Sequence, residues 1–210
     1  MLFRSIDNTA LGDDDSNSER SRGGRLATRW TPNEDFTLDS LVFYQQSDFR
    51  AISQYAAEAG DLNTYVAERE PVHDRNLIVS LSANQQLEPF DLTAVGSYRR
   101  KKLQYFAENG TFTNFITGFR DGLGGMFDNR SNQRDYSLEL RAASKAASRL
   151  QWTVGAFYED RTNFYSQDYT VRGVDAVAGI DSRDFGANAD QLYFSDIDVK
   201  EKQQIGRAHV

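Results

Sequence analysis

Apolar and polar residues alternate along several short stretches of this chain, which is the pattern of β-strands with one apolar face. The clearest stretches are 136–141 and 150–158. Their apolar positions are Tyr136, Leu138, Leu140, Trp152, Val154, Ala156 and Tyr158, and the opposite positions include Ser137, Glu139, Arg141, Gln151 and Thr153. Similar alternation at 77–84 and 92–99, and noisier alternation at 24–31 and 36–47, extends the prediction to about six strands.

The connections between these strands alternate in length. Short polar segments at 32–35, 87–90 and 146–149 suit tight turns, whereas long polar segments occupy roughly 48–75, 107–132 and 164–198. Loops this long are uncommon inside a compact soluble domain. Transmembrane β-barrels accommodate them, because their short turns lie at one end and their long loops at the other.

Aromatic residues lie where a barrel would place its two interfacial girdles. One group is beside the short turns, at Trp30, Phe36, Phe90 and Trp152, and a second group lies further along the strands, at Tyr44, Tyr98 and Tyr158. The run 99–102, which follows Tyr98, is entirely basic. A soluble β-sandwich or propeller has strands that alternate equally well, so this alternative stays open.

We therefore expect an all-β fold, an antiparallel up-and-down meander that forms part of a transmembrane β-barrel. The expected lipid-facing residues are Leu138, Leu140, Trp152, Val154, Ala156 and Tyr158. The expected lumen-facing residues are Glu139, Arg141 and Thr153. For Glu139 and Arg141, a cross-strand or lumen ion pair is favoured over a plug contact or a place in the ligand path.

Composition narrows the choice of protein class. The chain has 210 residues, and its aromatic fraction of 12% is too high for a disordered protein. It has no run of about 18 apolar residues, so no transmembrane helix is expected. The absence of cysteine excludes a disulfide scaffold and a thiolate metal site, and the net charge of −7 argues against nucleic-acid binding.

Both ends of the sequence resemble translated sequencing adapters rather than protein-coding sequence. The matching segments are residues 1–5 and 205–210, and we interpret both as artefacts that should be set aside in reasoning about the fold. Residues 6–204 are then expected to be an internal fragment of a longer β-barrel domain.

Several segments resemble the barrel of TonB-dependent outer-membrane receptors. The most specific is the pair Tyr136–Arg141 and Leu150–Tyr158, which is similar to the family's "S-x-E-x-R" and "W-x-x-G-x-F-Y" hairpin. Weaker similarity covers 24–32, 36–46 and 91–98, where Ala94 replaces a serine of the family pattern, and 199–203 resembles the start of a further strand.

The resemblance implies active uptake across the outer membrane of a Gram-negative bacterium. Such a receptor binds a scarce small molecule, for example a ferric siderophore or another metal chelate, and its plug domain is moved by the TonB complex. The plug is not part of this sequence, and no ligand-binding residue can be assigned. A soluble extracellular β-domain of carbohydrate-binding or propeller type, and a passive porin-type barrel, stay open as alternatives.

Signals for catalysis, cofactors or metals are weak. His73 and Asp74 lie in a predicted loop and could act as a base and its orienting carboxylate, but no nucleophile motif accompanies them. Residues 13–15 are three aspartates without the glycine and glutamate of a calcium loop. The glycine-rich segment 122–125 does not follow a strand and open a helix, and Asn109 begins a glycosylation sequon that we expect to be unused. We therefore predict no enzyme activity, no cofactor and no metal site.

Four aromatic residues in the predicted loops could contact a ligand, since loops carry recognition in such scaffolds. They are Phe112, Phe115, Tyr165 and Tyr169. For each of them, packing within its own loop is the favoured interpretation.

Overall fold

The computed structural model describes residues 5–118, 123–145 and 147–209, and its main feature is one seven-stranded antiparallel sheet. The elements in chain order are β1 (Asp7–Asn8), β2 (Glu19–Asn33), β3 (Phe36–Phe49), β4 (Asn63–Thr64), β5 (Val72–Gln86), β6 (Phe90–Glu108), α1 (Gly110–Thr117), β7 (Gly125–Ser144), β8 (Thr153–Val171), α2 (Val174–Ala178) and β9 (Gln191–His209). Two 3₁₀ turns occupy Ala57–Ala59 and Ser182–Phe185.

The sheet confirms the predicted all-β antiparallel meander. Its strand order is β2-β3-β5-β6-β7-β8-β9, so each strand pairs with the next long strand in the chain. The connections alternate as expected, with short ones at 34–35, 87–89 and 145–152 and long ones at 50–71, 109–124 and 172–190. All short turns consequently lie at one end of the sheet and all long connections at the other.

The sheet has seven long strands, the six predicted ones and β9, of which the sequence indicated only the start at 199–203. One detail of the prediction was wrong. The strands extend well into the segments that were predicted as loops. In those parts polar side chains pair across strands, for example Gln104 with Asp128 and Ser131 with Asn163, so pairing continues without apolar alternation.

Residues paired across an antiparallel sheet point to the same side, so each face can be followed from strand to strand. One side, called the apolar face, carries Leu138 opposite Tyr158 and Leu140 opposite Ala156. The other side, called the polar face, carries hydrogen-bonded pairs such as Ser97 with Ser137 at 2.7 Å. Leu138, Leu140, Ala156 and Tyr158 thus share one face of the sheet, and Glu139, Arg141 and Thr153 share the other.

The row in which Tyr98 pairs with Tyr136 divides the sheet into two halves. We call the part that contains the short turns the turn half, and the part that leads to the long connections the loop half. The loop half contains the packed core, formed by Tyr169, Val171 and Val174 with partly buried Leu123 and Phe127.

The helix α1 begins and ends at residues suited to those positions. The side chain of Asn109 accepts a hydrogen bond from the backbone N–H of Phe112 at 2.9 Å, which is an N-cap. Gly118 ends the helix in the left-handed conformation, with φ of 63°. The helix is eight residues long, and Thr113 and Phe112 connect it to the core.

No helix in the described part of the chain is long and apolar enough to cross a membrane.

Candidate functional site: the apolar face of the sheet

The apolar face is exposed over the turn half of the sheet. Leu138, Leu140 and Val154 retain 56%, 49% and 47% of their accessible surface. Further rows continue this surface across the other strands, through Leu26, Trp30, Val42 and Leu81. An apolar surface this extended on a sheet marks a region that contacts something other than water.

No second layer covers this face within the described residues. Apart from the small β1–β4 pair, the 3₁₀ turn beside β4 and the contact of α1 with β7, extensive element contacts are those between neighbouring strands of the sheet. A sandwich would instead bury its apolar rows between two sheets. The few buried apolar residues, Ile6, Tyr169, Val171 and Val174, all lie outside the turn half.

Aromatic pairs mark both borders of the exposed apolar surface. At the short turns, the rings of Trp30 and Phe36 are 6.0 Å apart, and Phe90 and Trp152 are also 6.0 Å apart. At the other border the rings of Tyr98 and Tyr136 are 4.9 Å apart. Phe90 and Tyr98 are eight residues apart on β6, which is about 26 Å at ~3.3 Å per residue.

The expected lumen-facing residues lie together on the polar face. Glu139, Arg141 and Thr153 line an open depression with Phe157 and Gly155. Neither Glu139 nor Arg141 forms an ion pair with another described residue, so no cross-strand ion pair of either residue occurs in the described part of the sheet.

The predicted position of His73 and Asp74 in a loop was wrong. Both residues belong to β5 rather than to a loop, and adjacent residues on a strand point to opposite faces. The Nδ1 atom of His73 lies 2.7 Å from the Oδ1 atom of Asp48, on the neighbouring strand β3. No alternation in the sequence could reveal that partner, because it depends on the register between β3 and β5.

The other weak motifs have structural roles where they are described. Asp13 forms ion pairs with Arg50 at 3.3 Å and Arg69 at 3.0 Å, so it fastens the segment before β2 to the 50–71 connection instead of lying in a purely solvated loop. Asn109 of the sequon is the N-cap of α1. Gly122 of the glycine-rich segment lies outside the described residues.

Packing accounts for three of the four aromatic residues considered for ligand contact. Tyr169 is fully buried, its ring stacks on that of Phe127 at 4.0 Å, and its hydroxyl is hydrogen-bonded to Thr113. Phe112 packs edge-on against Tyr169, and the hydroxyl of Tyr165 donates to Asn129 at 2.8 Å. Phe115, in contrast, remains 84% exposed.

Basic residues gather on the apolar face just beyond the Tyr98–Tyr136 row. The run 99–102 indicated two of them in the sequence, Arg100 and Lys102. The register adds Arg75 opposite Lys102 and Arg134 opposite Arg100. Since these residues come from three strands, their proximity could not be inferred from the sequence pattern alone.

No group of three or more histidine, cysteine, aspartate or glutamate side chains suitable for a metal ion occurs among the described residues. Comparisons of the chain with protein-family models, with curated proteins and with solved structures found no match.

Proposed function

We propose that this chain is part of the wall of a transmembrane β-barrel belonging to a TonB-dependent receptor of the bacterial outer membrane. In this proposal the apolar face contacts lipid and the polar face lines the barrel interior. The receptor takes up a scarce small molecule, such as a ferric siderophore or another metal chelate. A plug domain outside this sequence couples the uptake to the TonB complex.

The observation that carries the barrel proposal is the exposed apolar surface of the turn half. Burying apolar residues stabilises a fold, so a sheet that leaves Leu138, Leu140 and Val154 half exposed requires an apolar environment. The border-to-border spacing of about 26 Å along the strand corresponds to a height of ~20 Å at the ~40° tilt of barrel strands, which fits within the ~25 Å apolar band of outer-membrane barrels. The separation of short turns and long connections supports the same architecture.

The polar face supports an interior role. It carries ionic and hydrogen-bonded side chains, for example Asp135 with Arg161 at 3.3 Å and Asn84 with Thr93 at 2.9 Å. A barrel of this kind has a polar interior that contains water or a plug. The assignment to TonB-dependent receptors rests on the resemblance of 136–141 and 150–158, which are parts of two paired strands.

The barrel proposal is tested by placing one charge on each face at adjacent positions. The chain is diluted from urea into phosphatidylcholine vesicles, and the vesicle-bound folded fraction is measured by flotation and circular dichroism. Leu138→Arg should weaken insertion by about 2–4 kcal/mol, whereas Ser137→Arg, on the polar face, should stay close to the unsubstituted chain. Equal effects of the two substitutions would reject lipid contact through the apolar face.

The receptor proposal needs a separate test on the gene. The coding sequence on both sides of residues 6–204 should encode a plug domain upstream and further alternating strands downstream. Continuous barrel strands without a plug domain would instead identify a passive porin-type barrel. A following segment that packs on the apolar face would support a soluble extracellular β-domain.

A further inference from the structure

Four basic residues form a compact group on the apolar face where the exposed apolar surface ends. The group consists of Arg75, Arg100, Lys102 and Arg134 and is called the basic cluster. Arg75 is paired directly with Lys102, and Arg100 is paired directly with Arg134. Arg75 and Arg134 are exposed, as is Lys102. The two pairs occupy adjacent rows of one face, beside Tyr98 and Tyr136.

Like charges placed directly opposite each other destabilise an antiparallel sheet. Within the described residues, none of the four forms an ion pair with a carboxylate. The Nε atom of Arg100 is also buried without a hydrogen-bond partner. The cluster is therefore an arrangement of donors and positive charge that the described residues do not neutralise.

The carboxylates nearest to the basic cluster on this face are engaged elsewhere. Asp48 accepts hydrogen bonds from His73 and Gln46. Asp128 is bound by Arg130 and Gln104, and Asp160 pairs with Lys202 at 3.4 Å. The positive charge of the basic cluster is consequently left for an external anion to neutralise.

We propose that the basic cluster binds the phosphate groups of anionic lipids. The position of the basic cluster favours lipid phosphate over free inorganic phosphate as the bound anion. It adjoins Tyr98 and Tyr136, at the border where the exposed apolar surface of the same face ends. A ligand that fits both features has an apolar part beside a negatively charged headgroup. Arginine suits such a ligand because its planar guanidinium binds phosphate oxygens in a bidentate manner.

This inference rests on the proposed contact of the apolar face with lipid, but it makes a distinct claim. Lipid contact alone requires binding to neutral vesicles. The basic cluster requires, in addition, a preference for anionic vesicles that weakens as salt screens the charges.

The experiment compares vesicles of phosphatidylcholine alone with vesicles of phosphatidylcholine and phosphatidylglycerol. The full 210-residue chain is added from urea, and partition is measured by flotation. We expect at least about tenfold stronger partition onto the anionic vesicles, since each basic residue near such a surface contributes substantially to binding. The test variant is R75Q/R100Q/K102Q/R134Q, which should lose most of that preference and keep its binding to neutral vesicles.

The matched control is R25Q/K101Q/R141Q/R149Q, which removes the same number of arginines and lysines from the polar face and a short turn. It should retain most of the preference. Equal losses in the two variants would show a general effect of net charge and would overturn the proposal, as would an undiminished preference in the test variant.

Two further measurements keep the result specific. A charge-retaining variant, R75K/R100K/R134K, should keep much of the anionic preference, and failure to do so while folding on neutral vesicles would overturn a role for positive charge.

Inorganic phosphate should release the chain no better than sodium chloride of equal ionic strength. Stronger release by phosphate would indicate a free-phosphate site and reject lipid as the ligand. If the chain failed to bind neutral vesicles, that result would count against the proposed function. The preference for anionic lipid would then still be judged by comparing the variants on the anionic vesicles.

Discussion

The turn half and the loop half of the sheet are stabilised in different ways. In the turn half, apolar side chains such as Leu138 and Val154 extend from the sheet without a covering layer. In the loop half, Tyr169 is fully buried against Phe127 and α1, and ion pairs hold the connections in place. The same sheet therefore has an internal core at one end and an uncovered apolar surface at the other.

The two halves differ in whether the chain itself buries their apolar side chains. A marginally stable protein cannot leave many apolar side chains in water without a loss of stability. The two outer strands β2 and β9 add unpaired backbone groups along the sheet edges. Lipid and further strands are the partners that the proposed barrel would supply.

The largest expected effect is the dependence of the whole fold on lipid. In aqueous buffer without lipid or detergent, we expect no cooperative thermal unfolding of the isolated chain, whereas vesicles should induce β-structure. Circular dichroism with a temperature ramp measures both. A sharp cooperative melt in buffer alone would contradict the comparison, since it would mean that the turn half is stable without a partner.

A smaller effect should separate the two halves when the chain is bound to vesicles. Tyr169→Ala removes a fully buried ring and should reduce the free energy of unfolding by about 3–5 kcal/mol. Tyr65→Ala is the matched control near the loop half, because Tyr65 is 57% exposed, and its effect should be within about 0.5 kcal/mol. Urea titration followed by circular dichroism measures both variants, and similar losses would disprove a packed core at Tyr169.

The smallest effect is a pH dependence confined to the long connections. Glu70 is buried beside Glu108 and accepts a hydrogen bond from the Glu108 backbone N–H at 2.7 Å. Burial raises the pKa of the Glu70 carboxyl above its ordinary value, and the Glu108 carboxylate raises it further. The neutral form of Glu70 is therefore favoured in the folded state.

A raised pKa in the folded state contributes stability below the ordinary glutamate pKa, and this contribution is lost as the pH rises through the raised value. The vesicle-bound chain should thus lose part of its free energy of unfolding as the pH rises from the ordinary glutamate pKa through the raised pKa of Glu70. Glu70→Gln keeps an oxygen acceptor without the titration and should remove this component. The check is urea unfolding at several pH values, and an identical pH profile for the variant would contradict the assignment to Glu70.

Much of the sheet could be predicted because alternation is a local signal. Residues 136–141 and 150–158 reveal their strand character and their two faces without knowledge of any partner. The loop half gave no such signal. Its strands carry polar residues on both faces, since Gln104 bonds to Asp128 on one face and Gln167 bonds to Asn129 on the other. Cross-strand pairing, not alternation, extends the strands there.

The residues of the candidate site also fall into those that the sequence pattern predicted and those that only the strand register revealed. Leu138, Leu140, Val154, Ala156 and Tyr158 were assigned to one face from parity alone, and the strand register places them together. His73 was predicted to lie in a loop, whereas it belongs to β5, and the register of β5 with β3 brings Asp48 to it. The basic cluster depended on the register of β5, β6 and β7, although its central run was visible in the sequence.

The sequence by itself determined the antiparallel meander, its alternating connections and the composition of each strand face, because side-chain direction along a strand follows a period of two residues. Only the tertiary structure decided how far the strands continue, which charges meet across them, and that the loop half has its own core. These properties depend on pairing between residues distant in the chain, for which no local pattern carries the information.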